Sequence, residues 1–92
     1  MNKFEWHDEK ALINQKKHKV TFDEAKTVFD DPLAIYKPDL LHSIGEVRSY
    51  IIGYSIKNKL LVVSFSERGE YIRLITARLA SKNEKKTYEN QS

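Results

Sequence analysis

Apolar residues recur along this chain with two periods, and the switch between them marks its elements. Phe22, Ala25, Val28 and Phe29 follow a helical spacing that builds one apolar face. Thr21 and Glu24 open that segment as a capping-box pair, with Val20 before the cap and Ala25 after it placed as a hydrophobic staple. Asp31-Pro32 ends the helix, because the residue before proline disfavours helical dihedrals. An earlier and mostly polar helix is predicted over residues 9–18, capped by Asp8, with Ala11, Leu12 and Ile13 available for burial. Beyond Pro32 the pattern turns strand-like. Residues 33–36 form one strand, 38–45 a turn region, and 47–56 a second strand carrying Tyr50, Ile51, Ile52 and Tyr54. Lys57-Asn58-Lys59 is a turn, 60–65 a buried apolar strand, Gly69-Glu70 a tight turn, and 71–77 the returning strand. Ser81 and Glu84 repeat the capping-box signature and open a C-terminal helix with Lys82, Lys85, Lys86 and Tyr88.

The connections between strands are too short for crossovers, so the sheet is expected to be mostly antiparallel. Counting a short strand near the start, the order is strand, two helices, four-stranded sheet, helix. That is an α+β class, with the helices expected on one face of the sheet. With 92 residues the chain allows a single domain, residues 1–92, around a modest core. Cysteine is absent, which removes disulfides and thiolate chemistry and fits a reducing compartment. No stretch approaches the ~20 apolar residues of a membrane helix, and the first residues lack a signal-peptide core. A cytoplasmic location away from membranes is expected.

Net charge is +3 but unevenly spread. Residues 1–31 carry six Lys against seven acidic groups and residues 32–56 carry two of each. Residues 57–92 carry eight Lys or Arg against four Glu. The basic excess therefore coincides with the hairpin that holds Glu67, Arg68, Arg73 and Arg78, where a polyanion would be drawn. Arginine presents a fixed fork of donors that matches phosphate, and glutamate can accept or donate a proton. Metal-free RNA cleavage lets the ribose 2′-hydroxyl attack its own phosphate. It needs a base there, cations on the phosphorane and an acid for the leaving oxygen. Glu67 is the candidate base, Arg68, Arg73 and Arg78 the candidate clamps, and His18, His42 or Tyr88 the candidate proton donors. A surface ion-pair network would use the same residues, with Glu84, Glu46 or Asp39 as partners of Arg73 and Arg78.

Arg73 and Arg78 are an odd number of positions apart, so a regular strand would turn them to opposite sides. A bulge, or a strand ending before Arg78, would reconcile them. Arg78 is expected beyond the strand end, near the Ser81 helix start, where helix amides favour an anion. Glu67 and Arg68, being neighbours, share the problem unless the turn twists them. Lys17 and His18 close the first helix, where cations suit its dipole, and they are also candidates for RNA contact together with Lys82 and Tyr88. Ser43 beside His42 has no acid nearby in sequence to complete a nucleophilic triad. The three histidines lack ligand spacing, so neither metal nor cofactor is expected. Trp6 is read as core, and Tyr36 is open between packing and base stacking.

The ordered series Phe4-Glu5-Trp6, Asn14, Lys17-His18, Val20 to Ala25, Val28 to Pro32, His42-Ser43, Glu46, Arg48, Glu67-Arg68-Gly69, Arg73, Ala77-Arg78, Glu84 and Tyr88 resembles the BrnT family. The resemblance covers about residues 4–88. It implies a RelE-like fold and the ribonuclease toxin of a type II toxin-antitoxin pair, neutralised by a BrnA-like antitoxin. DNA contact would then belong mainly to that antitoxin, and a toxin dimer within the antitoxin complex is compatible with it. The reading of another class is a non-catalytic module that uses the same basic face to hold RNA or an acidic protein segment.

Overall fold

In the computed structural model, which describes residues 3–91, β1 (Lys3–Glu5) leads into α1 (Asp8–His18) and α2 (Phe22–Ala25). A 3-10 segment, Lys26–Asp30, continues α2. Then come β2 (Ile35–Pro38), a 3-10 turn (Leu40–His42), β3 (Arg48–Tyr54), β4 (Leu60–Arg68), β5 (Tyr71–Leu79) and α3 (Lys82–Glu89). The sheet has five strands in the order β1-β5-β4-β3-β2. The meander β2 to β5 is antiparallel as expected, and β1 adds a parallel edge beside β5. The Gly69-Glu70 connection is tight because Gly69 takes φ 58°, a left-handed value open to glycine.

Local chemistry explains how the helices depart from expectation. α1 begins after His7, which makes no side-chain cap, so Asp8 is the first helical residue instead of the cap; with Glu9 it sets negative charge against the helix N-terminus. In α2 the Thr21 hydroxyl accepts from the Glu24 N–H at 3.1 Å, but the Glu24 carboxylate does not return to the cap. It is buried and accepts the Ser55 hydroxyl at 2.7 Å. The box is thus half formed, and its second half ties α2 to the sheet. The single helix expected up to Asp30 tightens into 3-10 geometry where it runs against β3. A Cβ on Gly53 would stand 3.0 Å from Val28 Cγ1 and 3.1 Å from Ala34 Cβ. The Ser81–Glu84 box opening α3 is complete in both directions.

Cross-strand pairs share a face, so the register sorts the sheet. Ile51, Leu61, Val63, Phe65, Leu74 and Ala77 pack against Val20, Phe22, Ala25 and Val28, with Phe4, Trp6 and Phe29 around them. Trp6, half-buried, sits edge-on to Phe22 at 5.8 Å and packs against the core, and Tyr36 meets Phe65 edge-wise and Phe29 at a tilt, both at 6.3 Å, while staying exposed. The other face carries a smaller cluster of Ile52, Val62 and Tyr88, with Tyr54 and Leu60 against it. α3 therefore covers the face opposite to α1 and α2, which corrects the one-sided arrangement expected. Adjacent Ile51 and Ile52 are both buried because both faces are covered there.

Two polar residues bind these layers. Asn14 is the one buried residue of α1; its amide donates to Val20 O at 3.0 Å and Ala77 O at 2.9 Å, and its oxygen accepts the Ala77 N–H at 3.0 Å. Leu12 and Ile13, expected to be available for burial, stay exposed. Asp31 accepts from the Leu33 and Tyr54 N–H groups at 2.9 and 2.8 Å and from the Tyr88 hydroxyl at 2.7 Å. Burial works to raise the Asp31 carboxyl, but those donors outweigh it and hold it low, while burial pushes Tyr88 up to about 12.

Candidate active site

One irregularity in β5 builds the site. Ser64 pairs with Thr76 and Phe65 with Leu74, so Ile75 is an extra residue opposite β4. Beyond it the strand changes phase. Arg73 faces Ser66 and Arg78 faces Val62, and positions 62, 64 and 66 of β4 share one face. Arg73, Thr76 and Arg78 consequently lie on the same open face of the sheet, though Arg78 sits inside the strand and not beyond its end.

That face holds a groove of about 400 Å³. Tyr50, Ser64 and Thr76 lie across adjacent strands, with Arg48, Arg78 and Glu84 around them and Asp39 and His42 on one side. The excursion between β2 and β3 is fastened by Ser43: its hydroxyl donates to Asp39 O at 2.6 Å and accepts the Arg48 N–H at 3.0 Å. This leaves no role for Ser43 as a nucleophile. The Asp39 carboxylate receives His42 Nδ1 at 2.9 and 3.1 Å, so an acid does lie near in sequence, three residues before the histidine, and it orients the ring with Nε2 left available.

Each arginine of the face is held by a carboxylate. Arg78 grips Glu84 with two bonds of 2.8 Å, Arg68 meets Glu46 at 2.8 Å, Arg48 Nε meets Glu46 at 3.4 Å, and Arg73 Nε meets Glu5 at 2.7 Å. Arg78 holds the Glu84 carboxyl down at about 2, helped by the Ser81 backbone N–H, and Arg68 lowers Glu46. The Glu84 pair has a readable pH signature. Because the folded value lies below the usual 4.5, its stabilisation is complete above pH ~4.5 and is lost as pH falls toward ~2. Discounted for the exposure of Arg78, it contributes about 1 kcal/mol. Glu84→Gln should flatten that part of the pH–stability curve, measured by urea unfolding between pH 2 and 7; an unchanged curve would remove the pair from the account.

Three comparisons bear on this geometry. Residues 6–84 match the family model described as the ribonuclease toxin, BrnT, of type II toxin-antitoxin systems. The chain belongs to the BrnT family. Its fold is also that of the crystal structure of the Brucella abortus ribonuclease toxin BrnT, with a TM-score of 0.69 and 22% identity over 89% of this chain and 100% of that one. No curated protein sequence matches the chain. Membership of a type II family implies an antitoxin partner and an RNA substrate.

Against this BrnT fold, the residues singled out from sequence separate. Arg68, Arg73 and Arg78 share the open face but spread along it, with Arg68 and Arg73 near the Gly69 turn and Arg78 at the far end of β5. Glu67 is not among them. β4 stays regular through Arg68, so Glu67 points to the side of Phe65, away from the arginines. Tyr88 is buried with its hydroxyl given to Asp31, which makes it a packing residue and not a surface contact. Lys17 and His18 line a second hollow, of about 260 Å³, that shares Ile75 and Thr76 with the groove. Lys82 is exposed in the first turn of α3. Sequence reading left Arg48 and Tyr50 out of the site and gave His42 no acid partner. The signal for the last was the Asp-x-x-His spacing of Asp39 and His42. Among the described residues no group of three or more His, Asp or Glu side chains is placed to hold a metal ion, and no helix is long and apolar enough to cross a membrane.

Proposed function

We propose that this chain is a metal-independent endoribonuclease whose reacting phosphate lies in the groove between His42 and Arg78. The observation that carries the reading is the orientation of His42 by Asp39 toward a groove flanked by Arg48 and Arg78. His42 Nε2 takes the proton of the ribose 2′-hydroxyl as the 2′-oxygen bonds to phosphorus. Arg48 and Arg78 neutralise the phosphorane. The bond to the 5′-oxygen breaks, and that oxygen takes a proton from the Tyr50 hydroxyl in the groove, leaving a 2′,3′-cyclic phosphate and a 5′-hydroxyl end. Glu84 competes for Arg78 in the free protein, so RNA binding must displace part of that pair. Arg68 and Arg73 extend the cationic face, and Lys17, His18 and Lys82 continue it for flanking nucleotides.

The antitoxin in this reading is BrnA-like and covers the arginine face. Leu40, Leu41, Ile44 and Val47, more than three-quarters exposed, stand in the same excursion as Asp39 and His42 and offer it an apolar footing. DNA contact rests mainly with the antitoxin, a toxin dimer can sit within the complex, and the site of action is the cytoplasm. The direct test is incubation of the purified protein with RNA in EDTA, followed by analysis of the ends. Cleavage giving cyclic phosphate and 5′-hydroxyl termini is the expected result. Tight binding with the RNA left intact would establish the binding-module reading in its place.

A further inference from the structure

One buried polar group on the open face has no partner among the described residues. The Ser66 hydroxyl, in a residue 2% exposed, makes no hydrogen bond among the described residues. An unbonded buried hydroxyl is a net cost to the fold, and such groups call for a reason. Its surroundings supply one. Ser66 pairs with Arg48 on one side and Arg73 on the other, so a row Glu5, Arg73, Ser66, Arg48 crosses four strands at one level. With strands about 4.8 Å apart, the two arginine backbones stand roughly 10 Å from each other with the hydroxyl midway. Two guanidinium forks can close on a tetrahedral anion from such positions.

Both arginines are mostly covered, with side chains 33% and 26% exposed. Arg73 is occupied by Glu5, while Arg48 offers only Nε to Glu46 and keeps both terminal amino groups without a partner among the described residues. The row lies one step beyond the Tyr50, Ser64 and Thr76 row of the groove, and Arg48 borders both.

We propose that Arg48, Ser66 and Arg73 form a second phosphate subsite, which takes a backbone phosphodiester of the RNA strand adjacent to the reacting one. It rests on the nuclease reading of the groove. The phosphate draws Arg73 off Glu5 and so reaches the Ser66 hydroxyl, covered in the free protein, which donates to a phosphate oxygen; Arg48 bridges this phosphate and the reacting one with one free amino group to each. Glu5 and Glu46 act as internal anions that keep the arginines paired until RNA arrives.

The test uses fully 2′-O-methylated RNA, which lacks the attacking hydroxyl, in lengths from two to eight nucleotides, with affinity read by fluorescence anisotropy. Ser66→Ala is expected to weaken binding of the longer strands about 3- to 10-fold, the loss of one charge-assisted bond, and to leave the dinucleotide unchanged. Its melting temperature should stay level or rise, since an unbonded hydroxyl is removed. Glu5→Gln, which removes the competing anion, should tighten the longer strands about 2- to 3-fold and steepen the salt slope by about 0.7. Inorganic phosphate at millimolar concentration serves as the other arm. Protection by it equal to that of a long strand, abolished in Ser66→Ala, would assign the site to free phosphate and overturn the RNA subsite. Equal affinities for wild type and Ser66→Ala at every length, or a loss accompanied by a lower melting temperature, would also overturn it. Binding is read on RNA that cannot be cut, so a wild-type protein that fails to cleave would remove the nuclease reading and leave this result standing.

Discussion

His42→Ala is expected to slow RNA cleavage by the purified protein about 10²- to 10⁴-fold, the range for loss of a positioned proton-transfer group. The size follows from the way the ring is held. Two contacts of 2.9 and 3.1 Å from Nδ1 to the Asp39 carboxylate fix one tautomer, and the nitrogen left over is the one that can take a proton from the 2′-hydroxyl. Asp39 itself is anchored through its backbone: its N–H donates to Arg48 O at 2.9 Å, and its carbonyl receives Ser43. His42 is thus mounted on the same excursion that delivers Arg48. The His42 side chain is 65% exposed, so its removal should change stability by no more than about 0.5 kcal/mol. Activity and folding are therefore separable in one variant. Asp39→Asn should also lose most of the rate, because its amide N–H can donate to Nδ1 and hold the tautomer whose Nε2 already carries a proton. Cleavage at the wild-type rate by His42→Ala would move proton transfer elsewhere in the groove.

Asn14→Ala is expected to lower the melting temperature by roughly 10 to 25 °C, from a loss of about 2–4 kcal/mol at 4–8 °C per kcal/mol in a domain of this size. One side chain makes three buried hydrogen bonds, two of them to the backbone N–H and C=O of Ala77. Truncation leaves one N–H and two carbonyls without partners in a place that water does not reach. On α1 the small Ala11 packs against the core while Leu12 and Ile13 face solvent, so little apolar contact is left to compensate. Asn14→Asp keeps the shape but replaces two donated bonds with repulsion between oxygens, so it should fall at least as far. Thermal unfolding followed by circular dichroism decides the matter. A drop of less than about 3 °C would show that α1 is held by its flanking packing instead.

The readable parts of the sequence were those governed by short-range rules. The Ser81–Glu84 box, the Gly69 turn and the apolar face of α2 depend on residues a few positions apart, and each formed where its pattern stood. Features decided by distant partners did not show. Glu24 left its cap because Ser55, 31 positions away, offered a buried hydroxyl. α3 crossed to the second face because Asp31 and Tyr54 receive Tyr88 there. In the site, the arginines were marked by their chemistry, but which of them share a face depended on one unpaired residue in β5. Glu67 attracted attention by sequence proximity to Arg68, and a regular strand separates neighbours by its pleat. Asp39 and His42 were legible in principle, since their spacing is local.

The extra residue at Ile75 makes the site depend on a count as well as on composition. Deleting Ile75 would leave Arg73 and Arg78 an even four steps apart, opposite the four steps from Ser66 to Val62, so both would stay on one face; it is a regular strand of unchanged length that would swing one end of the cationic face to the back of the sheet. A substitution at Ile75 that keeps the bulge leaves both arginines in place. For a protein under pressure to lose a harmful activity, the loss of this one codon would therefore leave the cationic face intact, and silencing has to come from the arginines themselves or from a change that slides the ladder by one residue.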